Sequence, residues 1–346
     1  MRTECVAASE ENIARAARLL QEGQLVGFPT ETVYGLGADA LNEQAVLNIF
    51  AAKGRPADNP LIVHIARMAE MEPLCHINAM AEKLAAVFWP GPLTMILPKK
   101  EIVPKAVTAG LDSVAIRMPS HPVACALIAR AGVPVAAPSA NRSGRPSPTL
   151  ARHVLEDMEG RIPMILDGGA CDVGVESTVV SLMGDTATVL RPGGITPEMI
   201  AAVLGEVQVA DSVMRPLREG EAAPSPGMKH KHYAPRARMT IYEGEPEQVI
   251  RHITAEYDTL PQQEKGLILS SSAHLARYGA RNAADLGADE LAAAHNIFAI
   301  LRDADDANIT RVLSESYPES GVGLAVMNRM ARAAGFDIVQ VTPSGQ

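Results

Sequence analysis

Lys53-Gly-Arg-Pro-Ala-Asp-Asn-Pro-Leu-Ile-Val-His64 compresses three signals into one short stretch. Residues 42–52 before it carry a helical pattern that delivers Lys53 at the helix C-terminal end. Residues 53–60 form a Pro-punctuated polar loop, and residues 61–65 are an apolar strand. Helix, polar loop and strand in immediate succession read as α/β. Pro138-Ser-Ala-Asn-Arg-Ser-Gly-Arg-Pro146 repeats the arrangement, following a strand expected over 133–137. Lys53, Arg55, Asn59, Ser139 and Asn141 thus lie on loops anchored to the ends of elements, where they can converge on one ligand. Cations with placed polar neighbours suit a polyphosphate. The chain has no Gly-x-x-x-x-Gly-Lys-Ser/Thr loop and no Gly-x-Gly-x-x-Gly after a strand, so a nucleotide has to be gripped by side chains.

Outward from these loops, residues 11–22 predict a helix that stops at Gly23. A strand over 24–29 leads into Thr30-Glu-Thr-Val-Tyr-Gly-Leu-Gly37, read as a loop whose glycines admit close backbone approach to a bound molecule. Further strands are expected at 93–97, 113–118, 164–166, 177–181 and 188–191, and helices near 79–88, 121–131, 150–158 and 197–204. Strands outnumber crossover helices, which favours a large mixed sheet over a doubly wound one. Between 211 and 236 the pattern breaks into a Pro- and Gly-rich segment with a polar cluster at its end, expected to serve as a linker that also closes over a ligand. From 239 onward strands and helices alternate: strand 239–242, helix 246–257, strand 266–269, helix 288–303, strand 310–313, helix 322–333 and strand 337–341. That rhythm predicts a small Rossmann-like domain of three layers around a parallel sheet, without a phosphate-binding glycine fingerprint. The expected domains are 1–210, the linker 211–236, and 237–346.

At 346 residues the chain exceeds the size at which one core stops growing, in keeping with two domains. Hydrophobic residues make up 47%, enough for both cores, while aromatics are only 3%, too few for a stacking platform that binds single-stranded nucleic acid. A formal net charge of -9 argues against broad capture of nucleic acid or of an anionic membrane. The four cysteines are dispersed, without a Cys-x-x-Cys pair, and read as reduced thiols rather than a zinc site or a disulfide framework. Without a signal segment or an apolar run of about 18 residues, the expectation is a soluble cytoplasmic protein.

Taken one at a time, several of these residues have plain structural readings. Basic residues favour helix C-termini, and Ser139 and Asn141 are turn formers. Arg117 ends an apolar run and needs a partner, either a ligand carboxylate or an internal salt bridge. The glycine-rich stretch 167–178, which places Ser177 before a strand, reads as a turn or as a ligand loop, and Arg191-Pro-Gly-Gly194 as a turn or a phosphate contact. His230 and His232 lack a nearby carboxylate or Cys and read as solvated side chains. No Ser-His-Asp order or isolated carboxylate pair suggests covalent catalysis.

Taken jointly, Pro29-Thr-Glu-Thr-Val-Tyr-Gly-Leu-Gly37, the 53–64 stretch, Ile116-Arg-Met-Pro119, Ala137-Pro-Ser-Ala-Asn141, Val175-Glu-Ser-Thr178, Arg191-Pro-Gly-Gly194 and Ser225-Pro-Gly-Met-Lys-His-Lys-His-Tyr-Ala-Pro235 resemble the threonylcarbamoyl-AMP synthases. The resemblance is to their long form, in which a C-terminal domain follows a YrdC-like domain. It implies that L-threonine, bicarbonate and ATP, with Mg2+ held mainly by the ATP phosphates and no protein metal site, become threonylcarbamoyl-adenylate and pyrophosphate. A separate tRNA threonylcarbamoyl transferase would receive the product, with no strong direct tRNA binding here. By matching positions, Lys53, Arg55, Ser139 and Asn141 would surround the phosphates and the forming carbamoyl-phosphate link. Asn59, Ser113, Ser147, Arg191 and Tyr233 would complete the ATP site, while Thr32, His64, Arg117 and Ser177, with Ser139, would hold threonine. Two alternatives are an RNA-binding module and a carbamoyltransferase of the hydrogenase-maturation kind. The latter would need acylphosphatase and zinc-finger modules that this sequence lacks.

Overall fold

The computed structural model describes residues 2–215 and 233–342. The chain divides into two compact units. The first runs to Ser143 and resumes over Ser147–Val213; the second holds residues 233 onward with the short segments Gly144–Pro146 and 214–215.

In the first unit the elements follow as β1 (Glu4–Ala7), α1 (Glu10–Gln21), β2 (Val26–Phe28), β3 (Gly35–Asp39), α2 (Glu43–Lys53), β4 (Ile62–His64), α3 (Ala79–Phe88), β5 (Leu93–Pro98) and α4 (Lys105–Thr108). Then come β6 (Ser113–Arg117), α5 (Pro122–Ala131), β7 (Val135–Ala136), α6 (Ala151–Met158), β8 (Met164–Asp167), β9 (Thr178–Ser181), β10 (Ala187–Arg191), α7 (Pro197–Leu204) and β11 (Val207–Val209). The strands form one sheet in the order β1-β8-β2-β3-β7-β4-β6-β5-β9-β10-β11, with parallel and antiparallel neighbours mixed, as expected. Along β8, Met164 and Leu166 join one apolar cluster and Ile165 the other, so cores lie on both faces. One face takes α1 and α5 through Ala17, Leu20, Leu127 and Ile128; the other takes Val46 and Ile49 of α2 and Leu84 of α3.

Local chemistry sets the element that carries Lys53. The Asn42 side chain accepts from the Ala45 N–H and starts α2, and Gly54, at φ 66°, stops it in a left-handed turn that a residue with a Cβ resists. The Gly35-Leu-Gly37 stretch departs from expectation. It is not loop but the start of β3, paired antiparallel with β2. A Cβ on Gly37 would stand 2.8 Å from Phe28 Cε1 and 2.9 Å from Val135 Cγ1, so the missing side chain makes room for the Phe28 ring rather than for a ligand.

The second unit contains β12 (Arg238–Gly244), α8 (Pro246–Asp258), β13 (Gly266–Ser270), β14 (Ala283–Asp285), α9 (Glu290–Asp306), β15 (Arg311–Glu315), α10 (Gly323–Ala333) and β16 (Ile338–Val341). Its sheet, ordered β14-β13-β15-β12-β16, is parallel throughout. Ile268 and Leu313 pack with Val249, Ile250 and Ile253 of α8, while Leu267, Leu269 and Val312, in the opposite phase, are buried too. Both faces are therefore covered, which is the three-layer arrangement. Tyr233 belongs to this unit: it is buried, with its ring 5.2 Å from that of Phe298 and the Arg329 guanidinium 5.6 Å from its centroid. Of the expected linker, Asp211–Val213 forms a short 3₁₀ turn, and residues 216–232, with His230 and His232, lie outside the described residues.

Gly37→Ala should destabilise the first unit by about 1–3 kcal/mol, because the added methyl has to displace Phe28 or Val135 in a packed core. A denaturant titration checks this. An unchanged midpoint would show that the Phe28 pocket yields freely.

Candidate active site

The sheet register assembles the site. His64 of β4 stands opposite Arg117 of β6, which stands opposite Thr94 of β5, so three polar side chains form a row across three adjacent strands. All three are buried. The Thr94 and Ser177 hydroxyls lie 2.7 Å apart, and Arg191 donates from Nη2 to Ser177 Oγ at 3.2 Å and from Nε to the Ser177 carbonyl at 3.0 Å. At Arg117, Nη1 donates to Thr32 Oγ1 at 2.9 Å and Nε to the Gly91 carbonyl at 3.4 Å, and Nη2 lies 2.7 Å from Glu31 Oε1. The internal salt bridge open from the sequence is therefore present, and its partner is Glu31. Thr30 Oγ1 donates to the Val33 carbonyl at 2.7 Å, so the Thr32 hydroxyl, 2.8 Å away, gives its proton to Thr30. Thr32 then accepts from Arg117 and keeps one lone pair for a ligand donor.

A second cluster forms where α2 meets the 138–146 loop. Lys53 is not an exposed loop cation: only 3% of its surface is accessible, and Nζ donates to the Ser139 and Asn141 carbonyls at 2.5 and 2.6 Å. Ser139 Oγ donates to Asn141 Oδ1 at 2.5 Å, and the Asn141 amide donates to the Arg142 carbonyl at 2.9 Å. The segment 30–35 joins the two clusters. Its Glu31 and Thr32 carbonyls accept from the Val173 and Gly174 N–H groups, while the Tyr34 N–H donates to the Pro148 carbonyl and the Tyr34 carbonyl accepts from Ala140.

The remaining expected residues are spread more widely. Asn59 is fully buried, and neither atom of its amide has a hydrogen-bond partner among the described residues. Arg55 is half-buried with its guanidinium 5.2 Å from the Phe50 ring centroid. Ser147 Oγ donates to the buried Glu176 carboxylate. Ser113, at the other end of β6 from Arg117, is about 13 Å along the strand. Tyr233 lies in the second unit. Sequence reasoning passed over Glu31, Thr94 and Glu176, although Thr94 stands out as a lone polar residue in the apolar run 93–97. Among the described residues no group of His, Cys, Asp or Glu could hold a metal ion. Cys75 and Cys171 are buried, and burial pushes both thiols up, Cys75 to about 11; Cys125 is half-buried and Cys5 exposed. Neither buried thiol is primed as a nucleophile.

The family model for Sua5, YciO and YrdC proteins, described as telomere recombination, matches residues 18–193. A second, described as threonylcarbamoyl-AMP synthase, C-terminal domain, matches residues 195–335. The threonylcarbamoyl-AMP synthase of Pyrococcus abyssi is 48% identical over 335 residues, covering 96% of each chain. That of Bacillus subtilis is 47% identical over 347 residues, covering 98% of this chain and 97% of the relative. The crystal structure of P. abyssi Sua5 complexed with L-threonine matches with a TM-score of 0.90 at 46% identity, over 99% of both chains. Fold and site together define a two-unit α/β protein of the Sua5, YciO and YrdC class. The chain belongs to the threonylcarbamoyl-AMP synthase family.

Burial first, and then the Arg117 charge, pushes the His64 imidazole down to about 3. An unfolded His titrates near 6.5, so below that pH the unfolded chain binds a proton that the folded chain refuses. Stability from this group is complete above about pH 6.5 and is lost as pH falls toward 3, by about 1.4 kcal/mol per pH unit. The His64 ring resonances should hold their neutral positions from about pH 8 to about pH 5. His64→Asn should remove one proton from the slope of stability against pH. A His64 resonance that titrates near 6.5 would contradict the burial argument.

Proposed function

We propose that this chain is a threonylcarbamoyl-AMP synthase, condensing L-threonine, bicarbonate and ATP into threonylcarbamoyl-adenylate, pyrophosphate and water. One observation carries this: a buried guanidinium, Arg117, stands in a row with the His64 imidazole and the Thr94 hydroxyl, with the Thr32 and Ser177 hydroxyls bonded to that row. That set complements a ligand with a carboxylate, an amine and a hydroxyl. Arg117 takes the carboxylate, and His64, Thr32 and Ser177, with Ser139, hold the hydroxyl and amine. The L-threonine complex of a relative 46% identical to this chain supports the assignment.

Lys53, Arg55, Ser139 and Asn141 surround the phosphates, and Asn59, Ser113, Ser147 and Arg191 complete the nucleotide site. ATP enters as its magnesium complex, the ion sitting on phosphate oxygens. The donor set agrees, because the nearby carboxylates Glu31 and Glu176 are engaged by Arg117 and Ser147. The threonine nitrogen bonds to the bicarbonate carbon, with loss of water, to give a carbamate. A carbamate oxygen then bonds to the α-phosphorus as the bond to the bridging oxygen breaks, and its electron pair leaves with pyrophosphate. In class terms this is nucleotidyl transfer. The carbamate decomposes in open water, so shielding and alignment are what the site has to supply, and the cations stabilise charge on the departing pyrophosphate. A separate transferase then spends the activated carbonyl on the adenosine beside the anticodon of certain tRNAs. The formal charge of -9 gives this chain little hold on RNA itself. Among the described residues no helix is long and apolar enough to cross a membrane, and the ATP, bicarbonate and tRNA pools put the reaction in the cytoplasm.

Incubated with ATP, magnesium, threonine and labelled bicarbonate, the protein should release pyrophosphate and form a labelled adenylate. Valine, which lacks the hydroxyl, should support turnover at least about 10²-fold less well. No pyrophosphate, or equal turnover with valine, would overturn the proposal. Lys53→Ala should lower turnover by about 10²-fold. It should also unfold at lower denaturant, because two carbonyl oxygens lose their cationic donor. Turnover that persists in the folded Lys53→Ala protein would make Lys53 a loop brace only.

A further inference from the structure

We infer that Glu31 is a positioning residue that aims Arg117 at the substrate carboxylate, an inference resting on the threonine site proposed above. Glu31 sits between Thr30 and Thr32 in the segment leaving β2, with 5% of its surface exposed. Its backbone carbonyl accepts from Val173 N–H at 2.8 Å, and the Thr32 carbonyl from Gly174 N–H at 3.1 Å, so the residue is tied down on both sides. Its carboxylate touches Arg117 Nη2 at 2.7 Å, and the two side chains are 6% and 4% exposed. Burial pushes the Glu31 carboxyl up, but the Arg117 guanidinium outweighs it, so the group stays ionised.

An arginine at a strand end has many rotamers, and three acceptors remove them here: Gly91 O on Nε, Thr32 Oγ1 on Nη1 and Glu31 Oε1 beside Nη2. Nη2 stands 2.7 Å from Glu31 Oε1 and gives that carboxylate at most one of its two hydrogens. Nη1 has spent one of its two hydrogens on Thr32. Each terminal nitrogen therefore retains a hydrogen for an incoming carboxylate, the fork that bidentate recognition needs. Glu31 compensates the cation and holds the fork in place without using it up.

The test compares L-threonine with L-threoninamide, which lacks the carboxylate, by calorimetry on the full-length protein. The unsubstituted protein should bind threonine at least about tenfold tighter than the amide. Glu31→Ala should weaken threonine by about tenfold or more while leaving threoninamide within about twofold, so the preference collapses. Glu31→Gln, which keeps an oxygen beside Nη2, should restore most of that preference. If Glu31→Ala does not fold, Glu31→Asp, one methylene short of contact, carries the same expectation of lost preference. Equal losses on both ligands, or an intact preference in folded Glu31→Ala, would show that Glu31 only supports the fold, and would overturn the inference. No preference in the unsubstituted protein would instead overturn the carboxylate role of Arg117, and the inference with it.

Discussion

Arg117 stands at the end of β6, inside an 11-stranded sheet, with 3% of its surface exposed, and a charge so placed is tolerated only when it is paired. Its partners come from elements far apart in sequence: Glu31 and Thr32 from the segment after β2, and Gly91 from the turn before β5. Removing one partner of such a pair costs about 3–5 kcal/mol, since the other is left buried and uncompensated. The arginine thereby constrains its surroundings. The 30–35 segment has to stay docked against the 167–178 and 138–148 stretches, and those in turn carry Ser177, Ser139 and Asn141.

The same kind of constraint ties the rest of the site together. Lys53 donates its ammonium to two loop carbonyls, Ser147 holds Glu176, and Thr94 holds Ser177, so the candidate site residues are braced by one another and by their neighbours. Bracing is incomplete at one place: the buried Asn59 amide has no hydrogen-bond partner among the described residues. Unsatisfied buried polar groups weaken a fold, and they are retained where a ligand satisfies them. For a reaction whose intermediate decomposes in water, stability given up for prealigned donors is repaid in rate.

Much of the fold was legible in the residue pattern. The helices at 10–21, 43–53, 79–88 and 246–258 lie where apolar spacing and capping residues put them, with Asn42 and Gly54 bounding α2. The central strands β4, β5, β6 and β8 are short apolar runs buried on both faces. Strands β1, β11 and β14 were not legible, for a physical reason. They lie at sheet edges, carry exposed residues, and owe their shape to hydrogen bonds from a neighbour rather than to a pattern of their own. Gly35 and Gly37 misled because a glycine that admits a ligand and one that admits a neighbouring phenylalanine look alike until Phe28 is placed beside them.

The sequence by itself determined which groups exist and roughly where each stands along the chain: cations and amides on two loops, an arginine ending an apolar strand, hydroxyls before and after glycine-rich turns. Those are local properties, set by propensity and by period. Only the tertiary structure decided who stands beside whom. The register of β4, β6 and β5 put His64, Arg117 and Thr94 in one row, and the docking of the 30–35 segment chose Glu31 as the arginine's partner and Thr32 as its acceptor. Burial then decided charge, keeping His64 neutral and making Lys53 an internal brace. Pairing, burial and charge state depend on contacts between residues tens of positions apart, and such contacts leave no trace in the pattern of either partner alone.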